Sequence, residues 1–426
     1  MELMENGMKK VGVGLIGFGT IGTGLVKIIQ QEKQVELKYV ADLDITSSRS
    51  VKINKTLLTI DADKVLNDPS VDIIVELIGG IQPAKKFILK ALKNKKHVVT
   101  ANKALLATHG DEIFQAAKDN NVCIKFEASV AGGIPIIKAV RDSFRSSDIT
   151  SVLGIVNGTS NFILSRMSMD KQTFSLALKE AQGSGYAEAD ASLDINGVDS
   201  AHKIAILSSI IYRTRVDMND IYVEGISHIT LEDIQYAEEL EYVIKPLAIA
   251  NRDGNRLDVR VHPALILKGH LLSSVSDVYN AVYLRGNSIG EMMFYGLGAG
   301  EMPTANAVYS DIIDVVGKTR SEGSLIDDYS FTNRLDIKET SDNRLRYYIR
   351  FSAVDKPGVL AKISGILGRS KISIASVIQK DRKQSGAVPI IMMTHEAEEK
   401  DIYSAIRGID RLDIIKRKSV IIRVED

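Results

Sequence analysis

Between residues 183 and 203 the chain reads Gly-Ser-Gly-Tyr-Ala-Glu-Ala-Asp-Ala-Ser-Leu-Asp-Ile-Asn-Gly-Val-Asp-Ser-Ala-His-Lys, so Glu188, Asp190, Asp194 and Asp199 all precede one lysine, Lys203. Asp199 and Lys203 are four apart and share a helix face, where an exposed pair adds only about 0.2–0.5 kcal/mol of helix support. The next residues, Ile204-Ala205-Ile206-Leu207-Ser208-Ser209-Ile210-Ile211, are apolar nearly all round, as in a helix enclosed by a core. A lysine at the mouth of such a helix loses water, its pKa becomes tunable, and it can deliver a proton near neutral pH. Glu188 and its neighbours suit a substrate ammonium, whereas His202 points off this face and reads as structural.

A second constellation is Gly17-Phe18-Gly19-Thr20-Ile21-Gly22, set between a β-branched run and an amphipathic one, with Asp42 about twenty residues on. Gly17 allows a tight turn, Gly19 lets a pyrophosphate approach the backbone, and Gly22 lets helix and strand pack closely. The helix N-terminus meets the phosphates. Asp42 favours a free ribose 2′-hydroxyl and hence NAD, while Ser47, Ser48 and Arg49 could embrace the 2′-phosphate of NADP. Val98-Val99-Thr100-Ala101-Asn102-Lys103 puts Lys103 just after the carboxyl end of a strand, the edge where doubly wound sheets bind ligands. Lys95 and Lys96, upstream of that strand, read as solvated. Asn157-Gly158-Thr159-Ser160-Asn161 can cap a helix or touch substrate, with capping the safer reading. Glu127 beside the Gly132-Gly133 turn offers oxygen ligands that would suit a hard cation.

Elements must place these groups. Val11–Ile16, Glu36–Ala41, Asp72–Leu77, His97–Thr100 and Val122–Ala128 read as strands, alternating with helices Ile21–Gln30, Pro83–Lys93 and Ala104–Lys118. That alternation predicts a Rossmann-type, doubly wound α/β domain over residues 1–131. An α+β catalytic domain follows over 132–320, with strands such as Thr150–Val156 and Leu257–Leu267 and last helices that can pack back on the first domain. Residues 321–344, polar and aperiodic, read as a linker. The tail, 345–426, runs strand Tyr347–Ala353, helix Val359–Arg369, strands Ile372–Gln379 and Val388–Thr394, helix Lys400–Ile409 and strand Ile414–Arg423, a βαββαβ ferredoxin-like plait.

The 426 residues, 45% hydrophobic, exclude collagenous and disordered classes, and 54 basic against 54 acidic residues give no charge excess to attract nucleic acid. The balance is a sum of unlike parts. From Arg346 onward the tail carries 16 Lys and Arg against 10 Asp and Glu, interleaved as on a solvated regulatory surface. The single cysteine, Cys123, can form neither an intrachain disulfide nor a cysteine-rich zinc site and reads as buried, which points to a reducing compartment, the cytoplasm. Met1 to Lys10 lacks an apolar run, so no signal peptide is expected, and no stretch is long and apolar enough for a membrane helix.

Taken together, Gly-Phe-Gly-Thr-Ile-Gly (17–22), Val-Thr-Ala-Asn-Lys (99–103), Glu-Ala-Ser-Val-Ala-Gly-Gly-Ile-Pro (127–135), Asn-Gly-Thr-Ser-Asn (157–161), Gly185–Lys203, and Gly298-Ala299-Gly300 with Pro303-Thr304 resemble the homoserine dehydrogenase family, in the family's order. Asp355-Lys356-Pro357-Gly358-Val359-Leu360 resembles an ACT domain, a ligand-sensing plait of amino-acid-pathway enzymes. The resemblance implies NAD(P)H-dependent reduction of L-aspartate 4-semialdehyde to L-homoserine, on the route to threonine and methionine. It implies that Phe18, Thr20, Ile21, Thr100, Lys103 and Gly300 line the cofactor beside Gly17, Gly19, Gly22 and Asp42. Glu188 and Asp199 would hold substrate, with Gly185, Asp194, Asn157 and Thr159 in the same site, and Lys203 would be the general acid. Lys103 would orient the carbonyl or the nicotinamide. Glu127 and the carbonyls of Val130, Gly132 and Ile134 would bind a monovalent cation, sodium or potassium, at the hinge between the domains. Asp355, Pro357, Gly358 and Val359 would mark an effector site, plausibly for threonine, in a homodimer or homotetramer; a purely dimerising plait is the alternative. One departure stands out: Ala191 occupies a place where the family usually has proline. Another amino-acid dehydrogenase on the same fold, or a catalytically silent nucleotide and amino-acid sensor, are the competing readings.

Overall fold

The computed structural model describes residues 10–144, 147–320, 327, 329, 331–380 and 387–425. The stretch through residue 9, where no signal peptide is expected, and residues 321–326, 328 and 330 of the expected linker lie outside the described residues. The chain forms two compact units assembled from separated stretches: Met1–Ile149, His202–Asn219 and Asn280–Arg334 in one, Thr150–Ala201, Asp220–Tyr279 and Leu335–Asp426 in the other. Among the described residues no helix is long and apolar enough to cross a membrane.

In the first unit, strands β1 (Val11–Ile16), β2 (Val35–Ala41), β3 (Leu58–Thr59), β4 (Ile73–Glu76), β5 (His97–Thr100) and β6 (Ile124–Lys125) form one parallel sheet in the order β3-β2-β1-β4-β5-β6. The helices between them are α1 (Thr20–Ile29), α2 (Ala62–Asn67), α3 (Ala84–Lys93) and α4 (Lys103–Asp119). The order reverses between β1 and β4, and at such a switch point the carboxyl ends of the strands open a crevice. Val13, Leu15, Ile73, Val75 and Val99 are wholly enclosed, each contributing roughly 1.5–3 kcal/mol of burial. Helix Glu301–Arg320 lies on α1 because Gly24 has no side chain. A Cβ there would stand 2.9 Å from Glu301 Cγ and 3.0 Å from Ala305 Cβ. Val308, Ile312 and Val315 thereby join the core of Leu25, Val26 and Ile29.

Two expectations need correction here. The strand read over Val122–Ala128 pairs only at Ile124 and Lys125, and from Glu127 to Ser129 the chain is a 3-10 turn. The Asp311 carboxylate pulls it out of the sheet by accepting the Glu127 N–H at 2.8 Å. Lys96 is not solvated: it is 6% exposed, its Nζ donating to the carbonyls of Asp68 and Val71.

The second unit is built on one sheet. Strands Tyr242–Asp253 and Arg256–Leu267 form a twelve-pair antiparallel hairpin, turning at Gly254, whose φ of +57° suits glycine. Strand Ile149–Ile155 pairs with the first of these. The C-terminal plait continues the sheet in the order Ile415–Val424, Arg344–Ala353, Val388–Thr394, Ile374–Gln379. Its last strand also pairs in parallel with Arg256–Leu267, at Ala264 with Arg423 and Leu265 with Val424. Strand alternation sorts the plait's two faces. Tyr347, Ile349 and Phe351 meet Ile363, Leu367, Ile402 and Ile406 of helices Val359–Arg369 and Glu399–Ile409, whereas Tyr348, Ile391 and Ile422 share a core with Phe162, Ile163 and Met167 of helix Gly158–Met169.

Candidate functional site

At the nucleotide edge, Gly17 has φ +105° and a Cβ there would meet the Leu77 carbonyl at 2.7 Å; a Cβ on Gly22 would meet the Gly17 oxygen at 2.3 Å. The turn closes only with glycine at both places. Gly19, by contrast, has nothing within 4 Å of its Cβ position and caps α1 without a side-chain hydrogen bond, leaving open space at the amides of Thr20 and Ile21. That open cradle fits a pyrophosphate. Asp42 accepts the N–H of Phe18 at 2.5 Å and that of Asp44 at 2.8 Å, so its carboxylate already braces the loop. Arg49 lies 4.8 Å over the Phe18 ring and donates to the carbonyls of Phe18, Ser47 and Asp44. Its guanidinium is therefore engaged by backbone at the place where a 2′-phosphate ligand was considered.

Thr100 is wholly buried and donates to Glu76 at 2.6 Å, and Glu76 accepts the N–H groups of Ile78 and Gly79. The Thr100 hydroxyl accepts the N–H of Asn102, which caps α4 through Leu105 N–H and donates to the Gly80 carbonyl. This wiring fixes the ends of β4 and β5 and starts α4 at Lys103. Sequence reasoning missed Glu76; its signal was a carboxylate closing the otherwise apolar strand Ile73-Ile74-Val75. Gly132-Gly133 and Gly298-Ala299-Gly300, two separate motifs, meet backbone to backbone: a Cβ on Gly132 would strike the Gly298 oxygen at 2.3 Å, and Gly133 donates to Leu297. Gly300, at φ +120°, then opens helix Glu301–Arg320.

Lys203 is 8% exposed in helix Val198–Tyr212, as its apolar context predicts. A cavity of about 30 Å³ is lined by Ala205, Ile206 and Ser209 from this helix and by Leu106, Gly110 and Phe114 from α4. Residues from the helices that carry the two candidate lysines thus line one small cavity.

The four carboxylates of 183–203 do not form one cluster. Asp194 and Asp199 both accept from Asn157 Nδ2, at 2.7 and 2.8 Å, while Asn157 Oδ1 accepts the Ser160 N–H and caps helix Gly158–Met169. Asp199 is buried and Asp194 half-buried. Glu188 and Asp190 stay exposed; the Ser192 hydroxyl, and then its N–H, hydrogen-bond Asp190 and hold its carboxyl below the usual range. Thr159 donates to the Tyr186 carbonyl next to Gly185, which adopts φ +76°. Ala191, the departure from the family pattern, caps the short helix Ser192–Ile195.

Glu127 is 6% exposed and accepts the N–H groups of Ile137 and Lys138, each at 2.8 Å. Burial pushes its pKa up, and among the described residues no lysine or arginine nitrogen lies within ion-pair distance of it. Asp311 beside it is pushed up to about 8, chiefly by burial. The Ala131-Gly132 turn, at φ +54° and +51°, follows Val130, and the Ile134 carbonyl accepts from Ile136. Among the described residues no three His, Cys, Asp or Glu side chains are grouped to hold a metal ion. The desolvated Glu127 carboxylate, next to the Val130–Ile134 turn in the chain, is an oxygen donor of the kind a hard cation takes. In the plait, Gly358 caps helix Val359–Arg369 with φ +86°, Val359 is buried, and Asp355 and Pro357 are exposed in the turn before it.

Three family models match the chain: "Homoserine dehydrogenase, NAD binding domain" over residues 17–127, "Homoserine dehydrogenase" over 135–313 and "ACT domain" over 347–412. The homoserine dehydrogenase of Bacillus subtilis (strain 168) is 39% identical, covering 98% of this chain and 99% of its own. That of Synechocystis is 42% identical, covering 97% and 99%. Among solved structures, a homoserine dehydrogenase from Thiobacillus denitrificans aligns with TM-score 0.91 and 41% identity over 99% of both chains. A hyperthermophilic archaeal homoserine dehydrogenase in complex with NADPH aligns with TM-score 0.61 and 25% identity over 72% of this chain and 97% of that one.

Proposed function

The chain belongs to the homoserine dehydrogenase family, and from that premise we propose which of its residues carry the reaction. It is an NAD(P)-dependent oxidoreductase that reduces L-aspartate 4-semialdehyde to L-homoserine. The chemistry a bound NAD(P)H supplies is hydride at the aldehyde carbon. The chain's own task is to bind the substrate, orient its carbonyl and furnish the proton. The amides of Gly19, Thr20 and Ile21 at the start of α1 hold the pyrophosphate, and Phe18, Thr100 and Gly300 line the rest of the cofactor edge. Lys203 places an ammonium at the aldehyde oxygen, stabilises the negative charge that grows there and gives up its proton to form the alcohol. Lys103, at the head of α4, shares that field and orients the carbonyl. Asp199 and Glu188 hold the amino-acid end of the substrate.

The observation that supports this reading best is the burial of Lys203 at 8% exposure in an apolar helix. Water lost there strengthens the field of its ammonium on a neighbouring oxygen. Lys203→Ala is expected to lower kcat by about 10²- to 10⁴-fold, with NAD(P)H affinity unchanged. Oxidation of NAD(P)H by aspartate semialdehyde measures the first and fluorescence titration the second. A kcat near that of the unaltered chain would remove Lys203 from the mechanism.

Glu127 with the carbonyls of Val130, Gly132 and Ile134 would hold a sodium or potassium ion, which neutralises the desolvated carboxylate and stiffens the Gly132–Gly298 crossing. The plait would bind an amino acid, threonine in the first instance, at the Asp355–Gly358 turn. Exposed Met292, Tyr295 and Leu297 on strand Gly290–Leu297 support self-association into a homodimer or homotetramer. The buried Cys123, in no disulfide, accords with a place in the reducing cytoplasm.

A further inference from the structure

Asn157 does more than a helix cap requires. Its Oδ1 accepts the Ser160 N–H at 2.7 Å, a task that serine, threonine or aspartate performs as well. Its Nδ2 has two hydrogens and donates to two carboxylates, Asp194 Oδ1 at 2.7 Å and Asp199 Oδ2 at 2.8 Å. Asn157 is 4% exposed and Asp199 6%, so the Asp199 arm of this bridge is buried while the Asp194 arm is half-buried. Ser160 Oγ, from the first turn of the helix that Asn157 caps, donates to the Asp194 carbonyl at 2.9 Å and fixes the backbone under one of the two acids. One neutral amide thus holds an oxygen of each of two carboxylates within hydrogen-bond reach of a single nitrogen.

We infer that Asn157 is a positioning residue for substrate: its amide clamps Asp194 and Asp199 into a paired-carboxylate cradle that grips the ammonium group of the amino-acid substrate. The inference rests on the reading of Asp199 as a substrate ligand, and it takes Asn157 away from direct substrate contact. A side chain that both caps and bridges must combine an acceptor with a two-hydrogen donor at short reach. Asparagine meets that need. Serine and aspartate keep the cap and lose the bridge.

The test compares Asn157→Ser, Asn157→Asp and Asp199→Asn in the full chain. Asn157→Ser is expected to raise KM for aspartate semialdehyde by about tenfold or more, with kcat within about threefold, NAD(P)H affinity unchanged and Tm within about 2 °C. Asn157→Asp, which adds a third negative charge and removes both donors, is expected to raise KM further by about tenfold. If Asp199→Asn raises KM and Asn157→Ser does not, the clamp is overturned while the substrate reading stands. An unchanged KM in Asp199→Asn overturns the substrate reading and the clamp with it. A joint loss of Tm, cofactor affinity and kcat in both Asn157 variants assigns the residue a purely structural role and also overturns the clamp.

Discussion

Among the described residues Lys96, Lys125, Lys203 and Lys245 are all buried. Lys245 is 6% exposed, its Nζ donates to the Val275 carbonyl, and burial pulls its pKa down to about 8. The folded chain therefore releases this proton near pH 8, while the unfolded chain keeps it up to about 10.4. Below pH 8 both forms are charged and the burial penalty is complete. Between those values stability at this site rises with pH, and above them no penalty remains. Lys245→Met removes the titration, so the stability of the variant relative to the unaltered chain is expected to fall by about 2 kcal/mol between pH 7 and pH 9.5. Urea denaturation at the two pH values measures it, and a constant difference would mean that Lys245 keeps its proton in the folded chain over this range. From sequence alone Lys245 was invisible, because nothing in Ile244-Lys245-Pro246 announces that a carbonyl thirty residues away will cover it. Lys203 was legible for the opposite reason: its burial follows from its own helix. Asn157 was half legible. The cap is a local pattern, but its two carboxylates are 37 and 42 residues away, and only the fold brings them to one nitrogen.

At the scale of elements, the local patterns place most strands and helices of the first unit and of the plait, since strand period, glycine turns and caps are short-range. What they could not show is where an element's edge goes. The last strand, Ile415–Val424, reads as the closing strand of a separate plait, yet its end is stitched to Arg256–Leu267 by two residues and a buried ion pair. Glu425, at 6% exposure, grips the guanidinium of Arg260, which is itself 1% exposed and also pairs with Asp258 at 2.7 Å. Arg423, just before it, is held by Glu399 and by Glu224 and lies 4.5 Å over the Tyr222 ring. Removing one partner of such a pair leaves a buried charge, so Glu425→Leu is expected to cost about 3 kcal/mol. Adding Arg260→Met should deepen the loss, because it leaves the buried Asp258 carboxylate without its guanidinium partner. Chemical denaturation of both variants checks it. Equal stability of Glu425→Leu and the unaltered chain would show that Asp258 alone satisfies Arg260.

At the scale of the whole molecule, the neutral chain is an acidic enzyme with a basic plait, but the plait is no loose appendage. One face of its sheet, through Tyr348, Ile391 and Ile422, shares a core with Phe162, Ile163 and Met167 of the helix that Asn157 caps. An effector that moves the plait's strands would therefore press on the helix whose first residues aim Asp194 and Asp199, and its effect should fall on KM for the amino-acid substrate. Deleting the plait from Leu345 cannot test this, since it would strip that core and leave Asp233 without Arg350, its partner at 2.6 Å. A substitution at the turn is cleaner. Gly358 holds φ +86° with nothing within 4 Å of its Cβ position, so Gly358→Val fills no occupied space and instead forces the turn toward another conformation, at a cost of about 1–3 kcal/mol locally. In the unaltered chain, millimolar threonine is expected to raise KM for aspartate semialdehyde several-fold, about 1 kcal/mol of coupling, with kcat nearly constant. In Gly358→Val that response should vanish while the rate without threonine is retained. Inhibition that survives in Gly358→Val would place the effector elsewhere, and the absence of any response in the unaltered chain would leave the plait as a structural and dimerising module.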